Sequence, residues 1–237
     1  MLNINRLYAG YGKFKVLFDL EMEVPANEIT VVVGPNGAGK TTLLNSIMGV
    51  ATVFSGDVVY QGKRITGTPP HKAARMGISY VPQMGNVFAG LSVSENLQMA
   101  GYWMGKNELN NRVDQVLDMF PVLRQFIGRK AGTLSGGERR MLAIAMGLMR
   151  TPKLMLLDEL STDLAPIIAK RVMNEVARLR NELGITVLLV EQMAKRALEI
   201  GDTAYLLVSG QVRFRGKAGD LLRDPELSRV YLGIKES

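Results

Sequence analysis

The stretch GPNGAGKTT, residues 34–42, decides the fold of this 237-residue chain. It follows an apolar run, residues 29–33, that predicts a buried β-strand, and it precedes apolar residues at helical spacing between Leu43 and Met48. A strand, a glycine-rich loop and a helix in that order form a P-loop, in which successive backbone N–H groups converge on a phosphate chain. The sequence therefore predicts a nucleoside-triphosphate site in an α/β domain.

Two side chains of this loop carry its charge chemistry. Lys40 is expected to neutralise the β- and γ-phosphates, and Thr41 to ligate Mg²⁺ through its hydroxyl group. The helix that begins there directs the positive end of its dipole at the same anion. A plain glycine turn between a strand and a helix would need neither side chain. The predicted nucleotide-binding residues of the loop are Gly34, Pro35, Asn36, Gly37, Ala38, Gly39, Lys40, Thr41 and Thr42.

An acidic pair follows a second apolar strand, residues 154–157. Asp158 is expected to bind Mg²⁺, directly or through water, and Glu159 to polarise the attacking water. Taken alone, such a pair at the end of a strand is more often a solvated turn. The P-loop strand in the same predicted sheet favours the catalytic interpretation.

The sequence LSGGE, residues 134–138, opens another predicted helix. Ser135 and Glu138 have the spacing of a capping box, which would explain those two residues as purely structural. Capping does not explain the adjacent Gly136 and Gly137, which allow an anion to approach bare N–H groups at a helix N-terminus. We interpret Ser135, Gly136 and Gly137 as a second phosphate-binding surface, and two such surfaces on one chain suggest reciprocal pairing of two subunits.

Composition argues against several other kinds of site. The chain has no cysteine and a single histidine, His71, so disulfides and thiol- or histidine-built metal centres are not expected. Its net charge of +7 comes from scattered residues without a basic tail, so no nucleic-acid partner is expected. No apolar run approaches the roughly 20 residues that span a bilayer, and the start lacks a signal peptide.

The order of predicted elements indicates one sheet domain with a helical insertion. Apolar and polar residues alternate through the first 24 residues, which predicts antiparallel strands, and an apolar run at 186–190 predicts a central parallel strand beside 154–157. A hairpin signal, residues 204–214, precedes a short helical tail. The expected division is a core with an antiparallel β-subdomain, residues 1–83 and 151–237, and an inserted helical subdomain, residues 84–150.

Capping patterns mark the ends of two predicted helices. Ser92 and Glu95 have capping-box spacing ahead of an apolar-periodic segment in the helical insertion. Apolar residues repeat at helical spacing from Ile168 to Leu183, and Gly184 suits the C-terminus of that helix. A helix between two apolar strands predicts a βαβ unit.

In motif order the chain resembles the ABC ATPases over nearly its whole length. The order is a Walker A loop, a glutamine in YVPQ at 80–83, the LSGGE signature and a Walker B strand. The resemblance implies the P-loop ABC ATPase fold, with a mixed α/β sheet core, and ATP and Mg²⁺ as cofactors. It also implies a head-to-tail dimer in which the signature of one subunit closes over ATP held by the other. By the same resemblance Gln83 senses Mg²⁺ and the γ-phosphate, and Tyr11 stacks on adenine.

A finer resemblance is to the ATP-binding subunits of branched-chain, or hydrophobic, amino acid importers. It rests on stretches such as GYGKFKVLF, LSGGERRMLAIAMGLM and LLVEQ. The implied function is ATP hydrolysis that energises import, with the chain peripheral at the cytoplasmic face of the membrane. The implied partners are a second ATPase subunit, identical or related, transmembrane permease subunits and, indirectly, a solute-binding protein. The same ATPase type also serves urea and amide transporters, so the cargo stays open.

Three positions depart from the common ABC pattern. Gln192 replaces the usual histidine that touches the γ-phosphate and cannot carry its positive charge. Leu160 replaces a proline and is expected to loosen the turn that aims Glu159, while Asp163 adds a carboxylate at a commonly small position. We expect hydrolysis at a reduced rate. Two alternatives are a nucleotide-gated clamp with weak hydrolysis, and a non-membrane ABC protein acting on nucleic acid or ribosomes, which usually has a second cassette or a long coiled coil.

Overall fold

A computed structural model describes residues 1–224 of the chain. The remainder of the predicted helical tail, residues 225–237, lies outside the described residues. The strands are β1 (Leu2–Tyr11), β2 (Phe14–Val24), β3 (Ile29–Val33), β4 (Thr52–Tyr60), β5 (Lys63–Arg64), β6 (Ile78–Val81), β7 (Leu154–Asp158), β8 (Thr186–Glu191), β9 (Thr203–Val208) and β10 (Gln211–Lys217). The helices are α1 (Lys40–Ile47), α2 (Pro70–Arg75), α3 (Val93–Ala100), α4 (Lys106–Met119), α5 (Pro121–Gln125), α6 (Gly136–Leu148), α7 (Pro166–Leu183), α8 (Ala194–Ile200) and α9 (Ala218–Arg223).

The central sheet has six strands in the order β10-β9-β3-β8-β7-β6. Five of these strands run parallel to one another, namely β9, β3, β8, β7 and β6. The edge strand β10 pairs antiparallel with β9. Every residue of β3, β7 and β8 is buried, because helices or the second sheet cover both faces. The predicted central strands, the βαβ unit β7-α7-β8 and the C-terminal hairpin are therefore confirmed.

Strand order brings the predicted site residues to one edge of this sheet. The P-loop follows β3, Asp158 ends β7, and Gln192 follows β8. The register pairs Val33 with Glu191 and Asp158 with Val190, so the carboxyl ends of these parallel strands lie level. Ligands of open parallel sheets bind at this edge, where the connections leave the strands.

The N-terminal strands form a second, antiparallel sheet in the order β2-β1-β4-β5. Leu2 pairs with Val24, and Tyr11 with Phe14 across the first hairpin. The buried side chains of this sheet pack with α1 and with one face of the central sheet, to which Val32 contributes. The predicted antiparallel β-subdomain is thus present and shares a core with the P-loop helix.

Helix α6 of the helical insertion covers the opposite face of the central sheet together with α7, α8 and α9. Helices α3 to α6 lie between β6 and β7, and their buried residues form one continuous cluster with Val31, Leu157 and Leu189. Side chains of a strand alternate between faces, which is why Val31 and Val32 belong to different clusters. We keep residues 84–150 as a proposed helical subdomain, although its core is continuous with that of the sheet.

The predicted helix ends are also present. Ser92 caps α3 with Glu95 in a reciprocal capping box. Gly184 ends α7 in the left-handed conformation, with a φ of 63°. Within residues 1–224, no helix is both long and apolar enough to cross a bilayer.

Candidate nucleotide site

A cavity of about 650 Å³ opens at the carboxyl edge of the central sheet. Its size falls in the range of small-molecule sites. It gathers residues from the P-loop, from the segments after β6, β7 and β8, and from β2. The lining residues are Val16, Asn36, Gly37, Gly39, Lys40, Thr41, Thr42, Gln83, Glu159, Thr162 and Gln192.

The glycines of the P-loop have identifiable structural roles. Gly39, the N-cap of α1, has a φ of 101°, a left-handed conformation that residues with a Cβ rarely adopt. A Cβ on Gly34 would lie 2.0 Å from the carbonyl oxygen of Leu207 in the adjacent β9, so only glycine fits there. No side chain caps α1, which leaves its first N–H groups free to bind an anion in the cavity.

Lys40 is almost fully buried, with 4% of its surface exposed. Its Nζ donates to the carbonyl oxygens of Gly34, at 3.0 Å, and Pro35, at 3.2 Å. The same nitrogen lies 3.3 Å from Glu159 Oε1. A buried ammonium group is stable only when paired, and Glu159 supplies the opposite charge beside Lys40.

Four contacts hold Glu159 in place. Its carboxylate accepts from Gln83 Nε2 at 3.0 Å and from Thr162 Oγ1 at 3.3 Å, in addition to the contact with Lys40. Its backbone N–H donates to the carbonyl oxygen of Val190 at 2.9 Å. These contacts stabilise a left-handed backbone, φ 46°, which costs a residue other than glycine on the order of 1 kcal/mol.

Asp158 lies just below the cavity, where Thr41 Oγ1 donates to its Oδ1 at 3.4 Å and Tyr80 O–H to its Oδ2 at 3.1 Å. Burial raises the pKa of Asp158, and the two hydrogen bonds oppose that shift. Burial and the nearby Asp158 carboxylate also raise the pKa of Tyr80, which keeps the phenol a donor. The sequence prediction missed Tyr80, because only the order of strands in the folded sheet, with β6 beside β7, brings it to Asp158.

The donor set at Thr41 and Asp158 fits a magnesium ion. Both present oxygen atoms, which Mg²⁺ prefers, and they lie next to the phosphate-binding loop. Among residues 1–224, no cluster of three or more histidine, cysteine or acidic side chains could hold a metal. A site with one hydroxyl and one carboxylate is therefore complete only when phosphate oxygens and water supply the other ligands, as is usual for Mg²⁺ bound with a nucleotide.

Gln83 connects this site to the helical insertion. Its side-chain amide bonds Glu159, while its backbone carbonyl oxygen accepts from Arg140 Nη1 on α6. Burial lowers the pKa of Arg140, and the carboxylates of Glu191 and Asp163 oppose that shift. The sequence did not single out Arg140, because nothing in its local pattern indicates a partner 57 positions away.

The LSGGE segment lies outside this cavity. Ser135 caps α6, accepting from the Glu138 N–H at 3.4 Å, and its own N–H donates to Glu138 Oε2 at 2.8 Å. A Cβ on Gly137 would lie 2.3 Å from Ile168 Cγ2, and one on Gly136 would lie 2.9 Å from Leu164 Cδ2. Packing against α7 and the turn before it therefore gives the two glycines a role within one subunit, so the inference that only a phosphate explains them was incomplete.

Sequence comparison places this combination of motifs in a family. The family profile described as ABC transporter matches residues 17–162, more than half of the chain. The chain belongs to the ABC transporter family. The predicted ABC ATPase class is confirmed, and the general activity of this class is ATP hydrolysis.

Similar proteins cover nearly the whole ABC chain. LivF of Archaeoglobus fulgidus, described as a branched-chain amino acid transport ATP-binding protein, is 50% identical over 234 residues, 99% of each chain. BraG of Pseudomonas aeruginosa, described as a high-affinity branched-chain amino acid transport ATP-binding protein, is 42% identical over 98% of this chain and 100% of its own. A crystal structure of an ATP-binding cassette in its ADP conformation has a TM-score of 0.88 and 27% identity, with 97% of both chains covered. These likenesses confirm the predicted fold.

Two departures from the common ABC pattern have structural explanations. Leu160 is fully buried in the hydrophobic core, where it packs the turn after Glu159; the looser turn expected from the lack of proline stays a prediction. Asp163 has a φ of 63°, a left-handed conformation that aspartate tolerates better than most residues. Its carboxylate favours the positively charged form of Arg140 and so opposes the lowering of that residue's pKa by burial.

Tyr11 does not line the cavity of this ABC protein. Its hydroxyl accepts from Asn45 Nδ2 at 2.7 Å, and 43% of its surface is exposed. Val16, which the sequence prediction missed, lines the cavity instead. Adenine stacking on Tyr11 stays a prediction.

Replacing Gly137 with alanine is expected to destabilise the ABC chain by about 1–3 kcal/mol, because overpacking a tight contact displaces neighbouring side chains. Thermal unfolding measures this loss, and adding Ile168→Ala should recover much of it by removing the Cγ2 that the new Cβ meets. Gly128→Ala, at an exposed turn where a new Cβ would meet nothing within 4 Å, is the matched control. If the Ile168 substitution recovers nothing, packing against α7 is not the reason for this glycine.

Proposed function

We propose that this chain is the ATP-binding and ATP-hydrolysing subunit of an ABC importer for branched-chain or other hydrophobic amino acids. The observation that carries the proposal is the cavity in which Lys40, Thr41, Gln83, Glu159 and Gln192 converge. The identity of 50% to LivF over 99% of both chains supports the class of cargo.

In this proposal each residue of the cavity has a separate role in binding or hydrolysing ATP. The phosphates lie on the N–H groups of residues 36–42, and Lys40 turns from Glu159 to the β- and γ-phosphates. Thr41, Asp158 and Gln83 would hold a magnesium ion, which would supply positive charge to neutralise the phosphates. Glu159, freed from Lys40, orients water for in-line attack, and Gln192 donates one hydrogen bond to the γ-phosphate.

The geometry of the signature supports a dimer. Ser135, Gly136 and Gly137 do not line the cavity formed by the P-loop of the same chain. Any phosphate they bind therefore belongs to a nucleotide held by another subunit. We propose a head-to-tail pair, with an identical or a related ATPase, in which ATP joins the two surfaces.

A groove of about 520 Å³ between the helical insertion and β6 supports a membrane partner. Its lining is mostly apolar and includes Met99, Tyr102 and Trp103, which are 47%, 73% and 40% exposed. Exposed aromatic residues around a groove are typical of protein interfaces. We propose that transmembrane permease subunits dock here, that the chain is peripheral at the cytoplasmic face of the membrane, and that a solute-binding protein acts on it only indirectly.

Reconstitution with its permease subunits in proteoliposomes tests the cargo. ATP-dependent uptake of labelled leucine, isoleucine or valine is expected, with a Glu159→Gln complex as the inactive control. Uptake of urea or amides without these amino acids would replace the proposed cargo. ATP-driven dimerisation of the wild-type chain without phosphate release would instead identify a nucleotide-gated clamp.

Replacing Tyr102 with alanine tests the docking surface. Loss of an aromatic anchor at an interface typically costs about 2 kcal/mol or more, so co-purification with the permease should fall at least about tenfold. ATP binding by the chain alone should not change. Phe14→Ala removes another exposed aromatic, 81% exposed at the tip of the first hairpin, and serves as the control. Equal loss in both variants would contradict docking at the groove.

A further inference from the structure

Glu191 is a fully buried carboxylate that none of the roles above uses. It is the last residue of β8, immediately before Gln192. Both of its oxygens accept from Ser161: Oε1 from the N–H at 2.9 Å, and Oε2 from Oγ at 2.7 Å. The backbone of Leu160 also hydrogen-bonds this carboxylate. Burying an acid is unfavourable unless its partners are well placed, so this pair fixes a specific geometry.

Ser161 lies in the turn that carries Glu159. The turn is fastened to β8 at two successive points, by Glu159 N–H on the carbonyl oxygen of Val190 and by Ser161 on Glu191. Between them Glu159 has its left-handed backbone, φ 46°. A strained backbone persists only where its surroundings hold it, and the second fastening restrains the turn on the C-terminal side of Glu159.

The same carboxylate lies next to a second residue of the site. Glu191 points into the protein toward Ser161, while its neighbour Gln192 lines the cavity. Arg140 donates a hydrogen bond to the backbone carbonyl oxygen of Gln83. The negative charge of Glu191 favours the charged form of Arg140. Two segments that line the cavity, those with Glu159 and Gln192, therefore meet behind it at Glu191.

We propose that Glu191 is a positioning residue for ATP hydrolysis. It keeps Glu159 and Gln192 in fixed positions relative to each other, opposite the P-loop. The inference rests on the proposed hydrolytic function of the cavity. It assigns Glu191 no contact with the nucleotide. Its contribution is to the orientation of the attacking water, so it affects turnover and leaves nucleotide affinity unchanged.

The positioning contacts do not depend on the charge of Glu191. Burial raises the pKa of Glu191 to about 7, and the hydrogen bonds from Ser161 oppose this shift. A hydroxyl group can donate or accept, so Ser161 Oγ can pair with either the ionised or the protonated acid. A glutamine at this position can make both contacts as well, with its carbonyl oxygen on Ser161 N–H and its amide nitrogen on Ser161 Oγ.

The test compares Glu191→Gln with Glu191→Met, which has a similar length but no strong hydrogen-bonding group. Each full-length variant is assayed with Mg-ATP for phosphate release and, separately, for binding of a fluorescent ATP analogue. We expect kcat of the glutamine variant within about twofold of wild type and kcat of the methionine variant reduced about 10–100-fold, since misplacing a reacting group by about 1 Å costs up to about 100-fold. The dissociation constant should stay within about twofold in both.

A matched control separates positioning from loss of stability. Thr186→Val, at the other end of β8, removes a fully buried hydroxyl that accepts from the Asn27 N–H at 2.9 Å. It is expected to lower the unfolding temperature without changing kcat. If Glu191→Met does not fold, Ser161→Ala removes only the hydroxyl contact and should reduce kcat by a smaller factor.

The outcomes distinguish this inference from the proposed function. A wild-type chain that binds Mg-ATP and releases no phosphate would contradict both the proposed hydrolytic function and the positioning role of Glu191. A wild-type chain that hydrolyses ATP, with Glu191→Met or Ser161→Ala at the wild-type kcat, would overturn only the positioning role. So would a Glu191→Gln variant as slow as Glu191→Met, because that result would assign the effect to charge.

Discussion

Replacing Lys40 with alanine is expected to lower ATP hydrolysis by about 10³-fold and to weaken binding of ATP. Among the described residues that line the cavity, Lys40 is the only cation. Its loss removes the side-chain charge next to the β- and γ-phosphates, and deleting one preorganised donor to a developing charge typically costs about 10²–10³-fold in rate. Phosphate release with Mg-ATP and titration with a fluorescent ATP analogue measure the two effects.

The substitution also removes the partner of a buried carboxylate. Glu159 would lose its contact with Lys40 at 3.3 Å, so thermal unfolding must be measured beside activity. Lys153→Ala, which removes an exposed lysine before β7, controls for loss of positive charge. A folded Lys40→Ala chain that binds Mg-ATP as tightly as wild type would show that the nucleotide does not lie on the P-loop.

Replacing Glu159 with glutamine is expected to reduce the hydrolysis rate by about 10²–10⁴-fold, the usual contribution of a general base, while ATP binding persists. Glutamine retains an oxygen that can accept from Gln83 or Thr162, so the cavity should keep its shape. Because bound ATP is no longer consumed, the variant should accumulate as a dimer in Mg-ATP. Phosphate release and light scattering after size-exclusion chromatography measure turnover and dimerisation.

A charge-matched control is available on α7. Glu182→Gln removes an exposed carboxylate that pairs with Arg178, far from the P-loop, and should leave turnover unchanged. Full hydrolysis by Glu159→Gln would refute Glu159 as the group that orients water. Loss of ATP binding together with turnover would show instead that its contact with Lys40 is needed to form the site.

Local patterns in the sequence predicted much of the fold and the P-loop that forms one wall of the site. The P-loop, the central strands, the Ser92 capping box and the left-handed Gly184 all agree with the structure. Each depends on side-chain periodicity or on residues within about four positions, and short-range sterics and hydrogen bonds decide such features. The roles of these residues toward ATP stay predictions until the experiments above are done.

The interpretation of the LSGGE glycines shows where local reasoning was insufficient. From the sequence, a helix cap could not account for Gly137, and a phosphate was the remaining explanation. The structure adds Ile168, whose Cγ2 would lie 2.3 Å from a new Cβ. No pattern near residue 137 could have revealed this contact, because α7 begins after an intervening strand and turn.

The P-loop segment, residues 34–42, determined by itself the strand-loop-helix unit and the chemistry expected of it. Only the tertiary structure decided which side chains surround that loop. It brought Tyr80 to Asp158 across 78 positions and Ser161 to Glu191 across 30. The physical reason is that these contacts depend on the order of parallel strands, which follows from how the whole chain buries its apolar faces and leaves no local signal in the sequence.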